Sequence, residues 1–201
     1  MWRLKEKEKD LDKEKILNEL KNLPEKLNDS GFEDWTQLSL TELIDHIESK
    51  HHKFLDDALP QLTELMTKVL SAHGKNHTEL YELEKAIADL NFDLEPHLMK
   101  EERVLFQMIK DLEGSLANGG CPCDSIENPI RVMIQEHDAV AVILQKIKTI
   151  TNNFSPPEDA CETYKFLFKK LREVESDTHL HIHKENNLLF PKALNEVASH
   201  Q

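Results

Sequence analysis

Along four stretches of the chain, apolar residues recur every third or fourth position, the spacing that puts them on one face of a helix. Leu55, Leu59, Leu62, Met66 and Val69 form the first stripe, and the same steps reach His52 at one end and His73 at the other. Leu80, Leu83, Ile87, Leu90 and Leu94 form the second, which runs on through His97, Glu101, Val104 and Met108. The third is Ile130, Met133, His137, Val140, Leu144 and Ile147. The fourth is Tyr164, Leu167, Leu171, Val174, Thr178, His181, Glu185 and Leu188. Each stripe predicts an amphipathic helix, and each is interrupted by a titratable residue facing inward.

Punctuation residues set the predicted boundaries. Ser39 or Thr41 is expected to cap a helix starting at Leu40, with Glu42 in its first turn. Gly74 and Asn76 break that helix, Thr78 caps the next, and the second helix should continue to about Leu112. Pro96 should kink it beside His97, or restart it with Glu95 as the entry. Residues 113–128, with Gly114, Asn118-Gly119-Gly120 and Cys121-Pro122-Cys123, read as the longest loop. Pro129 belongs in the first turn of the third helix, and Asn152 to Pro157 end it. The fourth spans Glu158 to about Phe190, where Pro191 stops it. Ahead of the bundle, residues 1–15 are nearly all Lys, Glu, Asp and Leu, and Ile16 to Leu27 reads as a short amphipathic helix ended by Asn28-Asp29-Ser30-Gly31. The predicted class is all-α: an up-down four-helix bundle over residues 39–195, an N-terminal helical arm over 1–38 and a tail over 196–201.

Composition agrees and removes several functions. Only 5 Gly in 201 residues, with 31% charged residues, favours helices over a sandwich or barrel. A formal charge of -13 leaves no basic face for phosphates, so no nucleic-acid partner is expected. No run approaches the roughly 20 apolar residues of a membrane span, and the charged N-terminus lacks the apolar core of a signal peptide. The 3 cysteines make no disulfide framework, so a reduced, cytoplasmic location is expected.

An internal repeat sharpens the chemistry. His97-Leu98-Met99-Lys100-Glu101-Glu102-Arg103-Val104-Leu105-Phe106 matches His181-Ile182-His183-Lys184-Glu185-Asn186-Asn187-Leu188-Leu189-Phe190. His52 precedes His97 by 45 residues, and His137 precedes His181 by 44. The chain therefore reads as two helical hairpins, each giving one lone His and one His-x-x-x-Glu pair. A His and a Glu four apart share a helical face, about 6 Å between β-carbons. Burying four imidazoles and two carboxylates is costly unless they are paired or bound to metal. The set converges on two metal ions, each with two imidazoles, bridged by Glu101 and Glu185. Mixed imidazole and carboxylate donors suit iron, though manganese or zinc would take the same atoms. Ferritin-like sites differ in using Glu-x-x-His motifs and more carboxylates.

The remaining histidines are expected elsewhere. His73 shares the seam of His52, but 21 helical residues put them about 31 Å apart. His73 and His77 flank the Gly74 turn and suit a surface or capping role. His179 and His183 lie beside the fourth seam, where exposed or supporting roles are expected; His51 is the one-residue alternative to His52; His46 and His200 carry no signal. Cys121 and Cys123 read as a loop, and Cys161 as a buried small residue.

Several segments together resemble a known family. They are Glu42-Leu43-Ile44-Asp45-His46-Ile47, His51-His52 with Leu59-Pro60, and His97 to Glu102. The others are Asn128-Pro129-Ile130 through Glu136-His137-Asp138, Ser155-Pro156-Pro157 with Ala160-Cys161, and His181 through Pro191. Over about residues 35–195 the chain is similar to the repair-of-iron-centres family of hemerythrin-like di-iron proteins. The resemblance implies a hemerythrin-like bundle holding two iron ions with an oxo or hydroxo bridge. His52, His97, His137 and His181 would be terminal ligands, and Glu101 and Glu185 bridges. It also implies repair of iron–sulfur clusters damaged by nitrosative or oxidative stress, through donated iron. Partners would be damaged iron–sulfur proteins or an assembly scaffold, small diatomic ligands (NO, O2), and a second copy in a homodimer. Two alternatives share the site: a nitric oxide reductase, and a hemerythrin-like O2 or NO carrier or sensor. Whether the chain is an enzyme stays open. His73 matches a histidine that recurs in the family, so its exclusion here rests on geometry alone. Full-length members begin with a small domain containing adjacent cysteines. Residues 10–38 resemble only its tail and no cysteine precedes Cys121, so steps needing those thiols, such as docking or reduction, stay open for this chain.

Overall fold

Four helical rods carry the fold in the computed structural model, which describes residues 35–117 and 126–199. The predicted arm up to residue 34 and the Cys121-Pro122-Cys123 stretch lie outside the described residues. In the first rod, α1 (Leu40–Ile47) passes through a π-helical turn (Glu48–His52) into α2 (Lys53–His73). In the second, α3 (Leu80–Lys100) passes through a π turn (Glu101–Leu105) into α4 (Phe106–Ala117). The third is one uninterrupted helix, α5 (Glu127–Ile150). In the fourth, α6 (Glu162–Lys184) passes through a π turn (Glu185–Leu189) into α7 (Phe190–Ser199). Helix α2 packs on α3 and α6, α3 also packs on α5, and α5 meets α6, which closes a ring of four rods. This is an all-α helical bundle.

Local chemistry explains the ends. Ser39 accepts a hydrogen bond from the Glu42 amide at 3.1 Å, and Glu42 accepts one from the Ser39 amide at 2.8 Å, a complete capping box. Glu113 on α4 adds a second cap, accepting from the amides of Leu40 and Thr41 and from the Thr41 hydroxyl. At the end of α2 a Cβ on Gly74 would stand 2.6 Å from the Leu70 carbonyl oxygen, so the turn needs glycine. Pro129 lies in the first turn of α5 as its missing N–H favours.

Several expected boundaries move. Glu79, not Thr78, stands at the cap of α3, and no side chain caps it. Helix α3 runs unbroken through Pro96, and α4 continues past Gly114 to Ala117. Helix α6 begins at Glu162, after the turn in which the Ala160 amide bonds the Pro157 carbonyl. Pro191 does not stop the fourth rod, because the π turn ends at Leu189 and leaves the proline in the first turn of α7. Cys161, at the cap of α6, is exposed rather than buried.

The π turns also explain where the predicted stripes slip. Each inserts one residue, rotating everything beyond it by about 100° relative to an α register. Past Glu101 the inward residues are Leu105, Phe106 and Ile109; Val104, expected inside, is 51% exposed. Past Glu185 the buried position is Leu189, with Leu188 only partly covered. In α5, which has no π turn, Ile130, Met133, His137, Val140, Leu144 and Ile147 are all buried as predicted.

Two apolar cores result. One is built around Leu55, Leu62, Leu83, Leu90, Leu144 and Leu167. The other gathers Ile44, Ile47, Phe106, Ile130, Leu189 and Phe190, with Trp35 and Leu38 packed partly buried against it. On every rod the polar residues singled out above lie between them: His52 between Ile47 and Leu55, His137 between Met133 and Val140. A buried polar band thus crosses the bundle where the two cores meet.

Candidate metal centre

The band contains His52, His97, Glu101, His137, His181 and Glu185, each at most 2% exposed. Their ligand-capable atoms form two groups, each within 4.8 Å: His52, Glu101, His181 and Glu185 in one, and His97, Glu101, His137 and Glu185 in the other. The two carboxylates belong to both. Oε1 of Glu101 lies 3.1 Å from His97 Nε2 and 3.5 Å from His137 Nε2, while its Oε2 lies 3.4 Å from His52 Nε2. Glu185 turns Oε1 to His181 Nε2 and Oε2 to His137 Nε2, each at 3.0 Å.

Each π turn coincides with a member of the set. Glu101 and Glu185 open theirs, and His52 closes the third. In the first rod this accounts for His52, rather than His51, joining the group of ligand-capable atoms. Counting four from Ile47 leads to His51, but the extra residue carries the stripe on to His52.

Supporting residues orient the rings. Nδ1 of His52 lies 2.8 Å from Glu102 Oε1, and Nδ1 of His97 lies 2.9 Å from Glu136 Oε2. Nδ1 of His137 lies 3.0 Å from Asn186 Oδ1. Since carboxylates and amide oxygens only accept, these imidazoles carry a proton on Nδ1 and, when neutral, aim a lone pair inward from Nε2. His181 is held differently, its ring stacked on His51 with centroids 5.6 Å apart and planes 4° from parallel. His51 in turn meets Asp177 Oδ1 at 2.9 Å and Lys184 Nζ at 2.8 Å. Lys184 is buried, also donates to His46 Nε2, and lies 4.0 Å above the Trp35 ring. Residue spacing had not marked Glu102, Glu136, Asn186, Lys184 or Asp177. Glu102, Asn186 and Lys184 adjoin the repeated glutamates, so the repeat held the signal for those three, while Glu136 is marked only by its place beside His137.

The set is poorly satisfied by protein alone. Both oxygens of Glu101, Oε2 of Glu185 and Nδ1 of His181 are buried with no hydrogen bond among the described residues. His181 Nε2 meets Glu185 Oε1 in a hydrogen bond at 3.0 Å, but the nitrogens that stand close to the other three carboxylate oxygens make none to them. Nε2 of His97 faces Nε2 of His137 at 3.1 Å, and Nε2 of His52 faces Nε2 of His181 at 3.3 Å. Two nitrogens bound at right angles to one ion, each about 2.1 Å away, would stand roughly 3 Å apart. The residues fit a pair of metal ions.

Electrostatics agree. Burial opposes charging His52, yet the nearby Glu101, with Glu102 and Glu185, raises its pKa to about 9. His137 is raised to about 10 against the same penalty by Glu101 and Glu185. Burial pushes Glu101 up, but His137, His52 and His97 hold its carboxyl well below the usual range. Without metal, protons take the positive-charge role.

The other histidines lie apart. His73 ends α2 at the far end of the bundle, 5.3 Å from the Tyr164 ring. His77 spans Glu79 at 2.9 Å and Asp159 at 3.1 Å. His179 and His183 are exposed, beside Glu175 and Asn187 respectively.

Residues 42–193 match the hemerythrin HHE cation-binding domain. A probable iron–sulfur cluster repair protein of Haemophilus influenzae is 38% identical over 193 residues, covering 94% of this chain and 81% of its own length. The iron–sulfur cluster repair protein YtfE of Escherichia coli K12 is 40% identical over 186 residues, covering 92% of this chain and 79% of the relative. The protein of the same name from Citrobacter koseri matches to the same extent. The chain belongs to the hemerythrin HHE family and, within it, to the iron–sulfur cluster repair proteins.

Proposed function

We propose that this protein holds two iron ions in its polar band and gives them up to rebuild iron–sulfur clusters damaged by nitrosative or oxidative stress. His52 and His181 would hold one ion, His97 and His137 the other, and Glu101 and Glu185 would reach both, with an oxo or hydroxo group between the ions. Bound there, iron supplies an exchangeable store of the element that damaged clusters lack. One observation carries the reading: buried imidazole nitrogens face one another at 3.1 Å and 3.3 Å beside carboxylate oxygens without hydrogen bonds. The relatives' names favour repair over gas reduction or gas carriage.

The chain's own residues suit a reversible store. Glu102, Glu136 and Asn186 keep three imidazoles aimed inward whether or not an ion is present. The buried rings of Phe106 and Phe190 stack on His52 and His137, with centroids 5.5 Å and 6.2 Å apart. As iron leaves, His52 and His137 take up protons and keep the carboxylates compensated. We place the protein in the cytoplasm, with damaged iron–sulfur proteins or their assembly scaffold as partners; none of its described helices is long and apolar enough to cross a membrane.

The test is anaerobic. Iron-loaded protein is mixed with an iron–sulfur enzyme inactivated by nitric oxide, and activity and iron content are followed together. Recovery matched by iron loss from this protein is expected. No recovery while both irons stay bound would overturn the reading.

A further inference from the structure

The repeat that makes the site also orders its support, and in one place it fails. In role, His52 corresponds to His137, His97 to His181, and Glu101 to Glu185. The residue after each glutamate holds the lone histidine of its correspondence: Glu102 meets His52 and Asn186 meets His137. The residue before His137 is Glu136, which meets His97 Nδ1 through one oxygen and Lys100 through the other. Its counterpart, before His52, is His51, and the counterpart of Lys100 is Lys184. Lys184 does reach His51, at 2.8 Å. The imidazole, however, gives His181 a flat face in place of a carboxylate oxygen. Both nitrogens of His51 are engaged by Asp177 and Lys184, and His181 Nδ1 meets no acceptor among the described residues.

We infer that the two metal positions are unequal and that iron leaves first from the one formed by His52 and His181, because His51 stands where the repeat places a carboxylate. The inference rests on the di-iron reading above. An acceptor on Nδ1 fixes a ligating ring and makes its Nε2 a better donor; loss of such a partner costs about 10–100-fold in metal affinity. Glu102 behind His52 matches Glu136 behind His97, at 2.8 Å and 2.9 Å, so those two contributions offset each other. What remains is Asn186 behind His137 against a stacked ring behind His181, with the Lys184 ammonium on its far side. The His52–His181 position is the exit.

The experiment loads the full chain with ferrous iron anaerobically, then adds an excess of a ferrous chelator and follows release by absorbance. The wild type is expected to bind two irons and lose them in two phases of equal amplitude, at least about tenfold apart in rate. His51→Glu should slow the fast phase towards the slow one. Asn186→Leu should quicken the slow phase and leave the fast phase unchanged. Circular dichroism confirms that each variant is folded, and Asn186→Leu decides alone if His51→Glu does not fold. Two bound irons leaving in a single phase, or a folded His51→Glu with an unaltered fast phase, would overturn the inference and leave the di-iron reading standing. Fewer than two irons in the wild type would overturn both.

Discussion

His97 and His137 approach each other nitrogen to nitrogen, Nε2 to Nε2 at 3.1 Å, from adjacent rods of the bundle. Each ring has its other nitrogen engaged by an acceptor, Glu136 or Asn186, so as neutral rings they turn lone pairs toward each other. Two lone pairs buried at that separation need a positive charge between them, from a proton or a metal.

Glu101 and Glu185 touch imidazoles from both groups, so removing either should disturb both positions. Glu101→Leu or Glu185→Leu is expected to lower bound iron below two per chain, checked by iron assay and Mössbauer spectroscopy. Retention of both irons in either variant would refute the bridging role.

His52 and His137, raised to about 9 and about 10 in the metal-free fold, carry protons at neutral pH that an arriving metal must displace. Metal uptake at pH 7 should therefore release protons into a weakly buffered solution and tighten as pH rises. The metal-free protein should respond in the opposite direction. A raised histidine pKa contributes stability that is complete below about 6.5 and is lost as pH climbs through 9 and 10. Its Tm should fall over that range, measured by thermal melts in the presence of a chelator.

His73 closes α2 at the opposite end from the polar band, about 31 Å from His52 along the helix. His73→Ala should leave two irons per chain. Loss of one would show that the far end of the bundle influences the site.

Glu113 ties α4 to the start of α1 through the Leu40 and Thr41 amides and the Thr41 hydroxyl. Glu113→Ala should cost about 1–2 kcal/mol in denaturant unfolding, the range of a lost cap, without changing iron content. Burial raises the Glu113 carboxyl, but those bonds outweigh it and hold the pKa low. Its contribution is therefore present above the ordinary carboxylate range and fades as pH falls through the lowered value.

Much of this architecture is legible in the sequence because burial follows helical periodicity. Helix α5 shows it best: from Ile130 to Ile147 every predicted inward position is buried. The six convergent residues could be picked out because a His or Glu on an apolar stripe contradicts its neighbours. What periodicity could not reveal is a change of period. Val104 and Leu188 were expected inside because an α count was carried past Glu101 and Glu185, where the backbone adds a residue and hands those places to Leu105 and Leu189. Lys184 is hidden from the pattern for another reason: a lysine reads as solvated, and only the fold brings Trp35, His46 and His51 around it.

The division of the interior into two hydrocarbon blocks decides what unloading does to the molecule. Between the block around Leu62 and Leu90 and that around Ile44 and Phe106, the seam is faced by four imidazole Nε2 atoms and two carboxylates. If that seam holds ions as proposed, their departure should open no void in either block, and the scaffold should outlast its contents and stand ready for refilling.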